Sequence, residues 1–167
     1  APSNTTLTNF ISSGATSTSS TTVTLSISAT DGVGVTGYYV TDNSTGIAPT
    51  TPSAGATGWT AVTSTTSYSN TAVSYTFSGT YTSGATVYVY VWFKDTAGNV
   101  STVKSDSITY SPTDVTAPSN TTLTNFINSG ATSTSSSAVT LSISATDGVG
   151  VTGYYVTDNS TGIAPTT

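Results

Sequence analysis

The sequence predicts an all-β protein, a seven-stranded antiparallel sandwich, on three observations. Apolar and polar residues alternate in Val23–Ala29, and Val87, Val89, Val91 and Phe93 alternate with Tyr88, Tyr90 and Trp92, both with the two-residue period of a strand. Clusters of Gly, Pro, Asn and Asp interrupt these runs about every ten to fifteen residues. Helical periodicity is absent, and good helix formers are scarce.

Each element follows from the local pattern. Thr5–Ile11 reads as strand A. Thr22–Thr30 reads as strand B, with Val23, Leu25, Ile27 and Ala29 inward and Thr24, Ser26 and Ser28 outward. Val35–Asp42 is strand C. A loop rich in Gly and Pro, Asn43–Thr57, leads to a strand at Gly58–Ser64 that carries Trp59 and Val62. Thr71–Ser78 follows, with Val73, Tyr75 and Phe77 on one face. Thr86–Lys94 is strand F, the longest unbroken run of alternation, and Val100–Tyr110 closes the domain as strand G. Seven such strands in about 110 residues fit an immunoglobulin-like sandwich, with Val23, Leu25, Ile27, Val73, Phe77, Val89 and Val91 in its core.

The chain then begins again. Residues Ala1–Thr51 recur as Ala117–Thr167 with three differences: Ser12 against Asn128, Thr21 against Ser137 and Thr22 against Ala138. The period is 116 residues, the size of a whole small domain rather than a solenoid turn. Residues 1–111 are expected to form one repeat and residues 112–116 a linker. Pro112 and Pro118 should stiffen that junction. Residues 117–167 then hold strands A–C of a second, truncated copy. Three strands leave one face of Val139, Leu141 and Ile143 uncovered. This copy is therefore expected to take its remaining strands from elsewhere, a neighbouring chain of a filament being the expected supplier.

Composition narrows the function. Of 167 residues 70 are Ser or Thr and only 5% are charged, so hydroxyls rather than ions carry the polarity of the surface, as suits a secreted protein. A net charge of −5, a pI near 4.1 and just two cations, Lys94 and Lys104, argue against nucleic acid or an anionic membrane as partner. No apolar run approaches the length of a membrane span. The chain has no Cys, so disulfides do not stabilise it, which favours a bacterial or archaeal surface over a disulfide-rich animal one. With no His, Cys or Arg, a Ser–His–Asp set, a zinc site built on His or Cys and a thiol nucleophile are impossible within the chain. Paired carboxylates remain conceivable, but most Asp residues sit in turns. The chain is not expected to be an enzyme.

The segments TDVTAPS (Thr113–Ser119), VTLSISATDGVGVTGYYV (Val23–Val40) and VYVYVWFKDTAGNVS (Val87–Ser101) resemble those of tandem bacterial immunoglobulin-like repeats, found in large surface and adhesin proteins. The likeness covers the 116-residue unit, and KDTAGN (Lys94–Asn99) is its most specific part. It implies an extracellular spacer or adhesive role, often with calcium between domains. Fold transfers across such a resemblance; ligand does not.

Two candidate sites stand out. Asp31, Asp95, Asn99, Asp114 and Asp147 gather, in that fold, at domain ends. Several carboxylates with loop carbonyls can supply the six to eight oxygens calcium takes. Turn capping is the competing role for the same residues. In strand F, Tyr88, Tyr90 and Trp92 alternate with valines, and Tyr38 of strand C falls nearby. These aromatics are either an exposed face for glycan or self-association, or a covered one. Asn-x-Ser/Thr triplets at Asn4, Asn43, Asn99, Asn120 and Asn159 match the acceptor pattern for N-glycans. The leading expectation is a structural module of an extracellular filament, stalk or adhesin shaft at the cell surface, with copies of itself as partners. The alternative is a carbohydrate-binding or adhesive module using the aromatic face.

Overall fold

The computed structural model describes residues 1–4, 7–120 and 123–161. The chain divides into two compact units, Ala1–Thr113 and Asp114–Thr167. The first unit is all-β. Its strands are β1 (Ser17–Thr18), β2 (Thr22–Asn43), β3 (Thr60–Thr76), β4 (Ala85–Asp95) and β5 (Lys104–Tyr110). They hydrogen-bond in the order β1-β5-β4-β2-β3. Neighbours are antiparallel except β1 and β5, so the sheet is mixed. Helix among the described residues is confined to single 3-10 turns at Ser12–Gly14 and Asn128–Gly130.

Five strands stand where seven were expected, and local physics accounts for the difference. Expected strands B and C are continuous as β2. The Asp-Gly-Val-Gly stretch between them reads in sequence as a break, but here it is an irregularity inside one long strand. Asp31 Oδ1 accepts the backbone N–H of Val33 and Gly34, and Gly34 takes φ +130°, a conformation costly for residues with a Cβ. The register shifts across this stretch, and the two halves of β2 have different main partners. Thr22–Thr30 runs along the far end of β3, whereas Val35–Asn43 pairs with β4.

The strands expected at Gly58–Ser64 and Thr71–Ser78 likewise join into β3 through Thr65–Asn70. That stretch has no apolar alternation, but its Thr and Ser side chains suit a solvated strand face. Strand A is not a ladder. Its first two residues, Thr5 and Thr6, lie outside the described residues. The segment touches β2 through isolated bridges, Ser3 to Thr30 and Ile11 to Leu25. Asn9 between them takes φ +47°, which interrupts an extended strand. Strand G begins only at Lys104, Val100 forming a single bridge to Lys94.

Burial follows the alternation. Val23, Leu25, Ile27, Val73, Phe77, Val89 and Val91 are all in the core, as the pattern predicts, joined by Leu7, Phe10 and Ile11 from the N-terminal segment. The central strand is β4, with β5 on one side and β2 on the other, and Val89–Phe93 is buried without interruption.

The second unit keeps the local structure of the first but builds no ladder among its described residues. The bridges Ser119–Thr146 and Ile127–Leu141 repeat Ser3–Thr30 and Ile11–Leu25 at the same spacing. The last six residues, 162–167, lie outside the described ones.

Leu25 is fully buried, whereas its counterpart Leu141 is partly exposed. Leu25→Ala should lower the unfolding free energy of the first unit by about 2–5 kcal/mol in urea denaturation, as core truncations do. Leu141→Ala should leave that transition unchanged.

Candidate functional site

The most densely bonded polar group in the first unit is one that sequence reasoning passed over. Asp42 ends the expected strand C, and its side chain turns inward. Its Oδ1 accepts the hydroxyl of Tyr75, the backbone N–H of Ser78 (2.8 Å) and the Ser78 hydroxyl (2.7 Å). Its Oδ2 accepts the hydroxyl of Tyr81 and the N–H of Gly79 (3.4 Å). Burial by itself would raise this carboxyl, but the hydroxyls of Tyr75 and Tyr81, with Ser78, outweigh it and hold it below the usual carboxylate range. The same contact works in reverse on the phenols. Burial first, then the Asp42 charge, pushes Tyr75 and Tyr81 well above the ordinary tyrosine value. With every lone-pair direction occupied by a donor, Asp42 has no capacity left for general acid–base work; it ties the end of β2 to the chain leaving β3. No sequence signal marks it, because its partners lie more than thirty residues away.

The aromatic row of β4 is covered. Trp92 and Tyr90 are 0% and 1% exposed, so they do not form the open platform that one reading of the alternation required. The cover is the Gly- and Pro-rich loop after β2. Trp59 packs edge-on against Tyr39 (5.6 Å between centroids), and Tyr39 packs edge-on against Trp92 (6.0 Å). Lys94 Nζ lies 5.0 Å above the Trp59 ring and donates to the Ala54 carbonyl at 2.9 Å, pinning the loop down. Gly46, at φ +70°, lets the backbone come so near that a Cβ there would meet the Tyr88 ring at 3.1 Å. Tyr88 and Tyr38 are half-buried, Tyr38 stacking on Tyr68 rather than joining a row with Trp92. The legible signal was the loop itself, whose glycines allow close approach.

The carboxylates expected to hold calcium are divided between the two units. Asp31, Asp95 and Asn99 come together in the first. The α-amino group of Ala1 lies 3.7 Å from Asp31 and from Asp95. Asp95 accepts the Asn99 backbone N–H (2.8 Å) and the Asn99 side-chain amide (2.7 Å), closing the Lys94–Asn99 turn. The Asn99 side chain, more than burial, sets the balance that leaves Asp95 lowered. The N–H groups of Gly34 and Val33 lower Asp31. In the second unit Asp147 accepts Val149 and Gly150 N–H groups in the same way and is lowered by them, while Asp114 accepts from Thr116. Among the described residues no three His, Cys, Asp or Glu side chains converge. Asp31 and Asp95 each accept hydrogen bonds within their own turns.

Asn4, the first of the glycan-acceptor triplets, is buried. It donates to the Thr102 carbonyl at 2.9 Å, which fixes the N-terminal segment to the stretch before β5. Compared with known proteins, the chain matches no family model, no curated protein and no solved structure.

Asp42→Ala would leave three hydroxyls, those of Tyr75 and Tyr81 half-buried, and two backbone N–H groups without their acceptor. It should cost about 3–5 kcal/mol in chemical denaturation. The pH dependence has a definite sign. Asp42, Asp31 and Asp95 are lowered in the folded state, so their stabilisation is present above an ordinary carboxylate value near 3.8 and lost as pH falls through their folded values. Tyr75 and Tyr81 are raised, so their contribution is present below pH 10.0 and lost as pH rises towards their folded values. Urea midpoints should be flat between these limits and fall on both sides, with a weaker alkaline fall in Tyr81→Phe.

Proposed function

We propose that the chain is a non-enzymatic structural repeat module of an extracellular filament, stalk or adhesin shaft, built on an immunoglobulin-like sandwich. The observation that carries this reading is the 116-residue repeat, 48 of 51 compared positions being identical. A shaft needs one surface reproduced many times, whereas a binding head needs one divergent surface. The sandwich reading is supported by β2, whose two halves bond to different main partners, an arrangement in which one hydrogen-bonded sheet can fold over a single core. In this arrangement the second unit belongs to the next repeat, and Pro112 and Pro118 restrict the junction. The likeness to tandem bacterial surface repeats points the same way.

The lack of His, Cys and Arg, with Asp42 saturated by donors, supports a role without catalysis. The carbohydrate-binding alternative finds less support, since Tyr90 and Trp92 are covered. In this reading Asp31 and Asp95 serve as turn caps. Melting temperatures in calcium and in chelator should agree, and a rise with calcium would add a metal to the shaft.

The test is length. Chains of two, four and six complete 116-residue units should be measured by small-angle scattering. A stiff shaft predicts that doubling the number of units raises the radius of gyration about twofold. A flexible string of domains would give about 1.4-fold and would contradict the reading.

A further inference from the structure

The open face of the second unit is an apolar surface whose natural cover can be read from the first. Ile27 is 1% exposed and its counterpart Ile143 is 41%; Val35 is 0% and Val151 is 43%. Val139 and Val156 are similarly exposed, and a groove of about 1060 Å3 runs between Phe126, Leu141, Ile143, Val151 and Val156. In the first unit the equivalent side chains lie in one core with Val73, Phe77, Val87, Val89, Phe93 and Ile108. All six of these come from residues 52–110, the part of the repeat that follows the duplicated segment.

The backbone of the second unit is also set for that partner. Asn125, Ser129 and Gly150 take φ of +50°, +55° and +130°, against +47°, +58° and +130° at Asn9, Ser13 and Gly34. We infer that the second unit is a preformed acceptor for a polypeptide with the sequence of residues 52–110, bound as a further copy of that segment.

The inference rests on the duplication and on the two faces compared, not on the shaft reading, and its test is independent of length. The 167-residue chain is mixed with a separately prepared polypeptide of residues 52–110, diluted from denaturant. The expected result is a one-to-one complex by native mass spectrometry, with amide exchange of residues 139–143 slowed about 100-fold or more. Ile143→Asp, at an exposed position, should abolish the complex and leave the first unit's melting unchanged. A second arm avoids the solubility of the segment: residues 52–110 are appended after Thr167, and residues 139–143 should then exchange as slowly as residues 23–27. The inference is overturned if residues 139–143 stay unprotected in the extended chain. It is equally overturned if the Ile143→Asp chain binds the segment as well as the parent, or if two second units seal against each other and exclude it.

Discussion

The first unit depends on β4 being covered on both of its faces. A strand with one wet face alternates buried and exposed residues, but Val89–Phe93 is buried at every position. Its valines and Phe93 face the core shared with β2, β3 and β5, while Tyr90 and Trp92 lie on the opposite face. That second face is closed by one aromatic chain, from Trp92 through Tyr39 to Trp59, held by Lys94. A loop that composition marks as a connector is thus a structural layer. Burying aromatic rings of this size on both faces of one strand gives a small domain without disulfides a core large enough to fold.

Polar groups fix the ends of this arrangement. Asp42 collects donors from four residues beyond β2, and Asn4 and Asp106 anchor the N-terminal segment, Asp106 by accepting the Ile11 N–H at 2.9 Å. Each is a buried or half-buried group that bonds atoms distant in sequence. Such contacts specify one register at modest net gain, because an unmatched partner would be left desolvated. The acidic residues of the turns act locally instead, each accepting N–H groups two to four positions on.

The residues that sequence made legible are those governed by nearest neighbours. Alternation identified Val23, Leu25 and Ile27 as core and located β4 to within a residue at each end. Asp31 and Asp95 read in sequence as calcium ligands or as turn caps, and their hydrogen bonds are local ones. What stayed hidden depends on the third dimension. Gly32 and Gly34 look like a strand end, but the ladder runs on through them by changing partners. Trp92 looks like the outward face of a two-sided strand, and only the placement of Trp59 and Gly46 shows it covered. Asp42, as one carboxylate in an otherwise strand-like run, gives no hint that Tyr75 and Tyr81 will meet it.

The second unit displays the same constraint by contrast: nearly the same sequence and the same local turns, without β3, β4 and β5, yields isolated bridges and no ladder among its described residues. Local sequence sets the turns, and the covering strands make the sheet. Residue-resolved hydrogen exchange on the intact 167-residue chain tests this most directly. The account predicts that amides of Val87–Phe93 and Val23–Ile27 exchange only through global opening of the first unit, while those of residues 139–143 exchange orders of magnitude faster. Equal protection of the two copies would contradict it.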